Sequence, residues 1–324
     1  MESGKQRQHN KGMRIKLPRL KPQMKAVGAI FIVLCLTVGQ AAIADSPPVM
    51  LDSKTSEGVF WAIEKNGQKA GYLLGTIHSE DPRVLDFSQA FLDKLNICQV
   101  YAMEMVPDLA TLHQLTQYMN YQDGQTLESV IGAERFKLLK NAMSGYQIPQ
   151  DFIKHMKPWA AMMTLSTPAP KTGFFMDLSL SLRASGNSID VVGLETLEQQ
   201  LSFLENMPLD MQLTLLDQAI SDVDQVEAMQ TEMVDAYLEN SLQGLGSITD
   251  DEFEAVGPEA QAYFYENGIA KRNHRMLASL LPLLERQQVF VAVGALHLPG
   301  KDGLLALLLK NDYQLIPQAM PFPN

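Results

Sequence analysis

Val289-Phe290-Val291-Ala292-Val293-Gly294-Ala295-Leu296-His297 is an unbroken apolar run, then a glycine, then a histidine three places further on. A run of this length with no polar alternation is the pattern of a strand buried on both faces, as in a parallel sheet. The glycine lets the backbone turn or be closely approached, and the histidine projects where the strand ends. Tyr72-Leu73-Leu74-Gly75-Thr76-Ile77-His78 has the same form. One Gly-x-x-His occurs often by chance; two in matching strand-end contexts argue that the strands end alike and that His78 and His297 share one edge and one cleft.

Working outward, Val59 to Glu64 and Ala70 to Ile77 flank Asn66-Gly67, a pair that tolerates the positive φ angles of a tight hairpin. Leu85 to Leu95 has helical apolar spacing, and Ile97 to Met103 is a second strand ending at Glu104. Ser188 to Leu194 is a short strand ending at Glu195. The last third predicts a helix from about Glu259 to Arg286, the Val289 strand, a helix through Leu304 to Leu309, and a strand at Tyr313 to Ile316. Alternation of this kind predicts an α/β fold: a largely parallel sheet built from two strand-helix-strand units, with a helical insertion at about 109–186 inside a single domain, 45–324. Gly244 to Pro258, with the acidic Asp250-Asp251-Glu252, is expected to be a solvated loop.

Residues 1–25 carry eight of the 26 basic groups and one of the 37 acids, and the next charge is Asp45. The basic arm, the apolar run Val27 to Val38 and Ala42-Ile43-Ala44 predict an export signal, 1–44, cleaved after Ala44, with Met13 as an alternative start. The mature protein is then periplasmic or secreted, touching a membrane only through this segment if it stays uncleaved. Cys35 leaves with the signal, and Cys98 is expected to be a buried, inert thiol. Residues 45–324 carry 18 basic and 36 acidic side chains, a formal −18. That balance speaks against nucleic acid, whose phosphates need clustered Lys and Arg; a peptide or small-molecule substrate is compatible with it. Oligomeric state is not legible.

Two strand-end histidines with one or two strand-end carboxylates, Glu104 and Glu195, suit a divalent metal site with open positions. The same residues without metal suit a histidine general base oriented by glutamate. His113, His155 and His274 are expected on helix surfaces. No phosphate-binding glycine loop, Gly-x-Ser-x-Gly elbow or His-Glu-x-x-His helix is present.

Leu73 to His78 (LLGTIH), the strand bearing Glu104, Val192 to Thr196 (VGLET) with Gln199 and Gln200, Arg272-Asn273-x-x-Met276, and Phe290 to Gly300 (FVAVGALHLPG) together resemble the TraB/GumN family, which is related to the Tiki metalloproteases. The resemblance covers most of residues 58–318. It implies the fold of the erythromycin-esterase and haem-binding ChaN-like proteins, and a site containing His78, Glu104, Arg272 and His297 with Glu195 and Asn273 beside them. Family members often place a second acid just after the Glu104 position, where this chain has Met105, Val106 and Pro107. The resemblance implies a metal-dependent hydrolase of peptide bonds. Its ion would be Mn, Co or Zn, held by His78, His297 and Glu104, with Glu104 or Glu195 assisting and Arg272 neutralising the oxyanion or anchoring substrate with Asn273. A metal-free esterase-like hydrolase and a non-catalytic peptide or haem binder are the alternatives. Loss of either histidine is expected to spare the fold.

Overall fold

A computed structural model describes residues 58–323; the export signal, its cleavage point, Met13 and Cys35 lie outside the described residues. Among the described residues six strands form one sheet: β1 (Phe60–Lys65), β2 (Gln68–Thr76), β3 (Val100–Met103), β4 (Asp190–Gly193), β5 (Val289–Gly294) and β6 (Gln314–Pro317), in the order β4-β3-β5-β2-β1-β6. β2, β3, β4 and β5 are mutually parallel. β1 pairs antiparallel with β2 and with β6, so β1 alone runs against the other five. The hairpin joining β1 to β2 turns at Asn66 (φ 53°) and Gly67 (φ 74°), as the Asn-Gly pair requires.

β5 is central and wholly buried. Register sets Phe290 beside Tyr72 on one side and Tyr101 on the other. Phe60 and Phe91 close around the same ring at 6.0 and 5.5 Å between centroids, the latter edge to face. Burying rings in offset and edge-on contact adds to the gain from area alone. The outer strands β4 and β6 are four residues each, short edges that offer little to a foreign strand. Gly75 lies against β5's end: a Cβ there would stand 2.7 Å from the Cα of Ala295. The glycine of one Gly-x-x-His therefore makes room for the backbone of the other.

Helices from Leu109–Tyr118 to Met176–Gly186 fill the stretch between β3 and β4, and a second helical series joins β4 to β5. Among the described residues no helix is long and apolar enough to cross a membrane. One expectation needs correction. Gly244 to Pro258 is not a loop: Leu242–Val256 is a helix, with Leu245, Thr249, Glu252 and Phe253 buried along one face. The acidic cluster obscured that helical spacing. The two strand-helix-strand units interleave in the one sheet. β5 lies between β2 and β3, and β6 crosses beyond both hairpin strands to pair with β1. Local patterning names strands but not their neighbours. Cys98 is a buried free thiol, its pKa pushed up to about 12 by burial.

Candidate functional site

The register of the four parallel strands places His78, Glu104, Glu195 and His297 just past the last paired residues, all at the carboxyl edge. Open α/β sheets gather ligand-handling groups at this edge. Each side chain is set by local chemistry. Glu195 precedes the helix Leu197–Glu205, whose first turn is fixed by Thr196 and Gln199 exchanging side-chain-to-backbone hydrogen bonds, a reciprocal cap. Arg272, Asn273 and Arg275 sit in the first turns of the helix Lys271–Leu284, immediately after a π-helical stretch, Phe264–Ala270. The wider π turn resets the angular phase of the helix after it, a device common at functional sites.

Arg272 is fully buried between the two glutamates. Its Nε donates to Glu195 Oε2 at 2.8 Å and its Nη2 to Glu104 Oε2 at 2.6 Å. Arg275 Nη2 donates to Glu195 Oε1 at 3.1 Å. Two guanidiniums thus balance two carboxylates, which is what makes burying the latter tolerable. Glu104 also accepts from the backbone N–H of Gly294 at 2.8 Å and from Gln200 Nε2 at 3.2 Å. Burial pushes its carboxyl up, but the charge of Arg272, the neighbouring His297 and the Gly294 N–H together outweigh that and hold it at about 2.

His297 is buried completely. Asn273 Nδ2 donates to the carbonyls of His297 and Asp302, so Asn273 Oδ1 is the atom facing His297 Nδ1, at 2.6 Å. An amide oxygen only accepts, so Nδ1 carries the proton and Nε2 a lone pair. Nε2 has no hydrogen-bond partner and lies 3.7 Å from Glu104 Oε1. An ion pair there would need a protonated imidazole. Burial, aided by Arg272, overrides the pull of Glu104 and lowers His297 to about 3. At neutral pH a lone pair therefore faces an ionised carboxylate. Arg272 Nη1 is likewise buried without a partner.

His78 has different surroundings. Its ring is stacked on Phe175, centroids 3.8 Å apart, and its Nδ1 is 3.9 Å from Asp177 Oδ2. Its side chain is 38% exposed. Among the described residues no three His, Cys, Asp or Glu side chains converge closely enough to hold an ion: His297 and Glu104 face one another as a pair, and His78 has Asp177 as its acidic neighbour. Arg272 spends Nε and Nη2 on the glutamates, which leaves Nη1 for any oxyanion. Asn273 orients His297. His274 is on the surface near Asp302, and His155 caps back onto the carbonyl of Asp151. Asp177, Phe175 and Arg275 were not singled out from sequence. Arg275, at i+3 from Arg272, was findable by helical spacing; Asp177, a hundred residues from His78, left no such trace.

The model of the TraB/PrgY/gumN family matches residues 59–317. No curated protein and no solved structure matches the chain.

Proposed function

The chain belongs to the TraB/PrgY/gumN family, and from that premise we propose that it is an exported hydrolase of peptide bonds, working with a divalent ion at the carboxyl edge of its sheet. The observation that carries this reading is the facing pair: His297 Nε2 without a partner, 3.7 Å from Glu104 Oε1. Two electron-pair donors turned on each other in a sealed site repel unless a cation or water lies between them. With ligand bonds of about 2 Å to nitrogen and oxygen, the pair fits an ion such as Zn, Mn or Co, whose contribution would be to lower the pKa of a bound water. The remaining work falls to the protein's own groups. Asn273 fixes the His297 tautomer and ring, as outer partners of metal-bound histidines do. Arg272 and the Gly294 N–H keep Glu104 ionised and immobile. Glu195, tied down by Arg275, holds Arg272 so that Nη1 is the donor free to meet charge developing on a carbonyl oxygen.

Metal content of the purified protein, measured beside hydrolysis of unstructured peptides with and without chelator, tests this. About one ion per chain and chelator-sensitive turnover, both lost in His297→Ala, are the expected results. A second reading is favoured by the absence of a three-donor group among the described residues: the same pair holds a water directly, and the enzyme needs no metal. Full activity of metal-free protein selects that reading, and no turnover on any peptide or ester selects a binder. Mass-spectrometric reading of the mature N-terminus tests export, with Asp45 as the expected first residue.

A further inference from the structure

Resting on the hydrolase reading, we infer that Asp177 is the positioning residue of His78, holding the imidazole with its Nδ1–H toward the carboxylate so that Nε2 keeps its lone pair for the reaction. Asp177 lies in the first turn of the helix Met176–Gly186, where a negative charge is favoured by the helix dipole. Its Oδ1 accepts the hydroxyl of Thr76 at 2.5 Å, a short charge-assisted bond. Thr76 is the last residue of β2, so the carboxylate is fixed to the strand that carries His78. Its Oδ2 is buried, has no hydrogen-bond partner, and lies 3.9 Å from His78 Nδ1. That is too long for a hydrogen bond, so the ring must shift toward the carboxylate for the contact to close. Phe175, stacked on the imidazole with planes 21° apart, covers one face of the ring.

The segment bearing Phe175 and Asp177 is itself tied down. The carboxylate of Glu80, two residues after His78, accepts the backbone N–H groups of Lys171, Thr172 and Gly173 at 3.0, 2.9 and 2.6 Å. Consecutive amides of this kind form an anion-binding nest, and they hold Glu80 below the usual carboxylate range against its burial. The strap 171–177 is thus attached to the end of β2 by Glu80 at one end and by Thr76 at the other. Tyr101 and Tyr237 border Asp177, and burial first, then its charge, keep both phenols above their ordinary range. Which imidazole nitrogen bears the proton is set by the partner of the other. An aspartate behind His78 and an asparagine behind His297 therefore give both rings the same tautomer, one beside a charge and one beside a neutral amide.

Nitrogen-15 NMR of His78 in the purified chain, without substrate, reads the tautomer directly. The wild type is expected to carry its proton on Nδ1, and Asp177→Leu, of similar size but with no acceptor, to shift it to Nε2. With a peptide substrate, Asp177→Leu should lower kcat about 10–100-fold with KM little changed, the usual cost of losing an outer partner; Asp177→Glu should recover part of it and Thr76→Val should lose less. Identical His78 nitrogen shifts in wild type and Asp177→Leu, or an unchanged kcat, overturn the inference. If the wild type hydrolyses nothing, the hydrolase reading fails while the tautomer measurement still decides the role of Asp177.

Discussion

The strand ends of β2 and β5 carry the same four-residue motif and adjoin each other, yet their histidines have little else in common. His297 is sealed, neutral and hydrogen-bonded to an amide, and it faces a carboxylate that three other groups already hold. His78 is half-exposed, stacked on a phenylalanine, and backed by an aspartate from a remote helix. Spacing along a strand decides where a side chain emerges. What it does there depends on which helix covers that end, and the covering helices belong to different parts of the chain. The β5 end is buried through His297 itself, whereas at the β2 end Thr76 and Ile77 are buried and the His78 side chain emerges.

From that contrast, the largest effect is expected in the charge cluster on the β5 side. Arg272→Ala leaves Glu104 and Glu195 without their shared cation in a dry interior, and is expected to cost about 3–5 kcal/mol, read as a lower urea midpoint. Loss of less than about 1 kcal/mol would mean that water reaches the cluster and that the β5 end is not sealed.

Acidification sharpens the contrast next. The folded His297 is depressed to about 3 from 6.5, so the unfolded chain binds the proton first and stability falls as pH drops below 6.5. Glu104, depressed to about 2 from 4.5, contributes stability that is intact above 4.5 and lost only as pH falls toward 2. The window between 6.5 and 4.5 therefore isolates His297 from Glu104. For chelator-treated protein, the stability of the wild type should fall there relative to that of His297→Gln by up to about 1.4 kcal/mol per pH unit, while the buried Glu252 carboxyl, raised above its ordinary value, acts in the opposite sense and alike in both proteins. Equal slopes in the two assign the loss to another group.

The smallest difference is the most direct comparison. His297→Ala removes a buried hydrogen-bonded ring and is expected to cost about 1–3 kcal/mol; His78→Ala, at the exposed end, should stay within about 0.5 kcal/mol. The expectation that either histidine could be lost without harm to the fold assumed exposed side chains, and that premise is corrected for His297, whose side chain is fully buried. Equal losses in both would erase the distinction between the two ends.

How far the sequence could be read depends on the range over which each cause acts. Apolar runs closed by Gly-x-x-His, and the carboxylates after β3 and β4, are local patterns, and the carboxyl edge with its four polar residues could be read from them. The Asn-Gly hairpin was legible for the same reason. The insertion of β5 between β2 and β3, and the pairing of β6 with β1, are choices among distant partners that no local pattern records. Asp177 escaped because an acid in the first turn of a helix has a sufficient local explanation. Leu242–Val256 escaped because three adjacent acids outweighed Leu245 and Phe253, eight residues apart on the same face.

The position of β5 also governs the time course of folding. The strand at the middle of the sheet is the fifth of the described strands to leave the ribosome, and until residue 294 has been made β2 and β3 have a strand-wide gap between them where their backbone groups should be paired. No subset of the first four strands closes the native core, so the sheet forms late, through contacts far apart in sequence, which slows folding. The waiting edges are apolar and open to mispairing. Refolding from denaturant should accordingly be slow and increasingly lossy with concentration, and a fragment ending before Val289 should fail to fold at all.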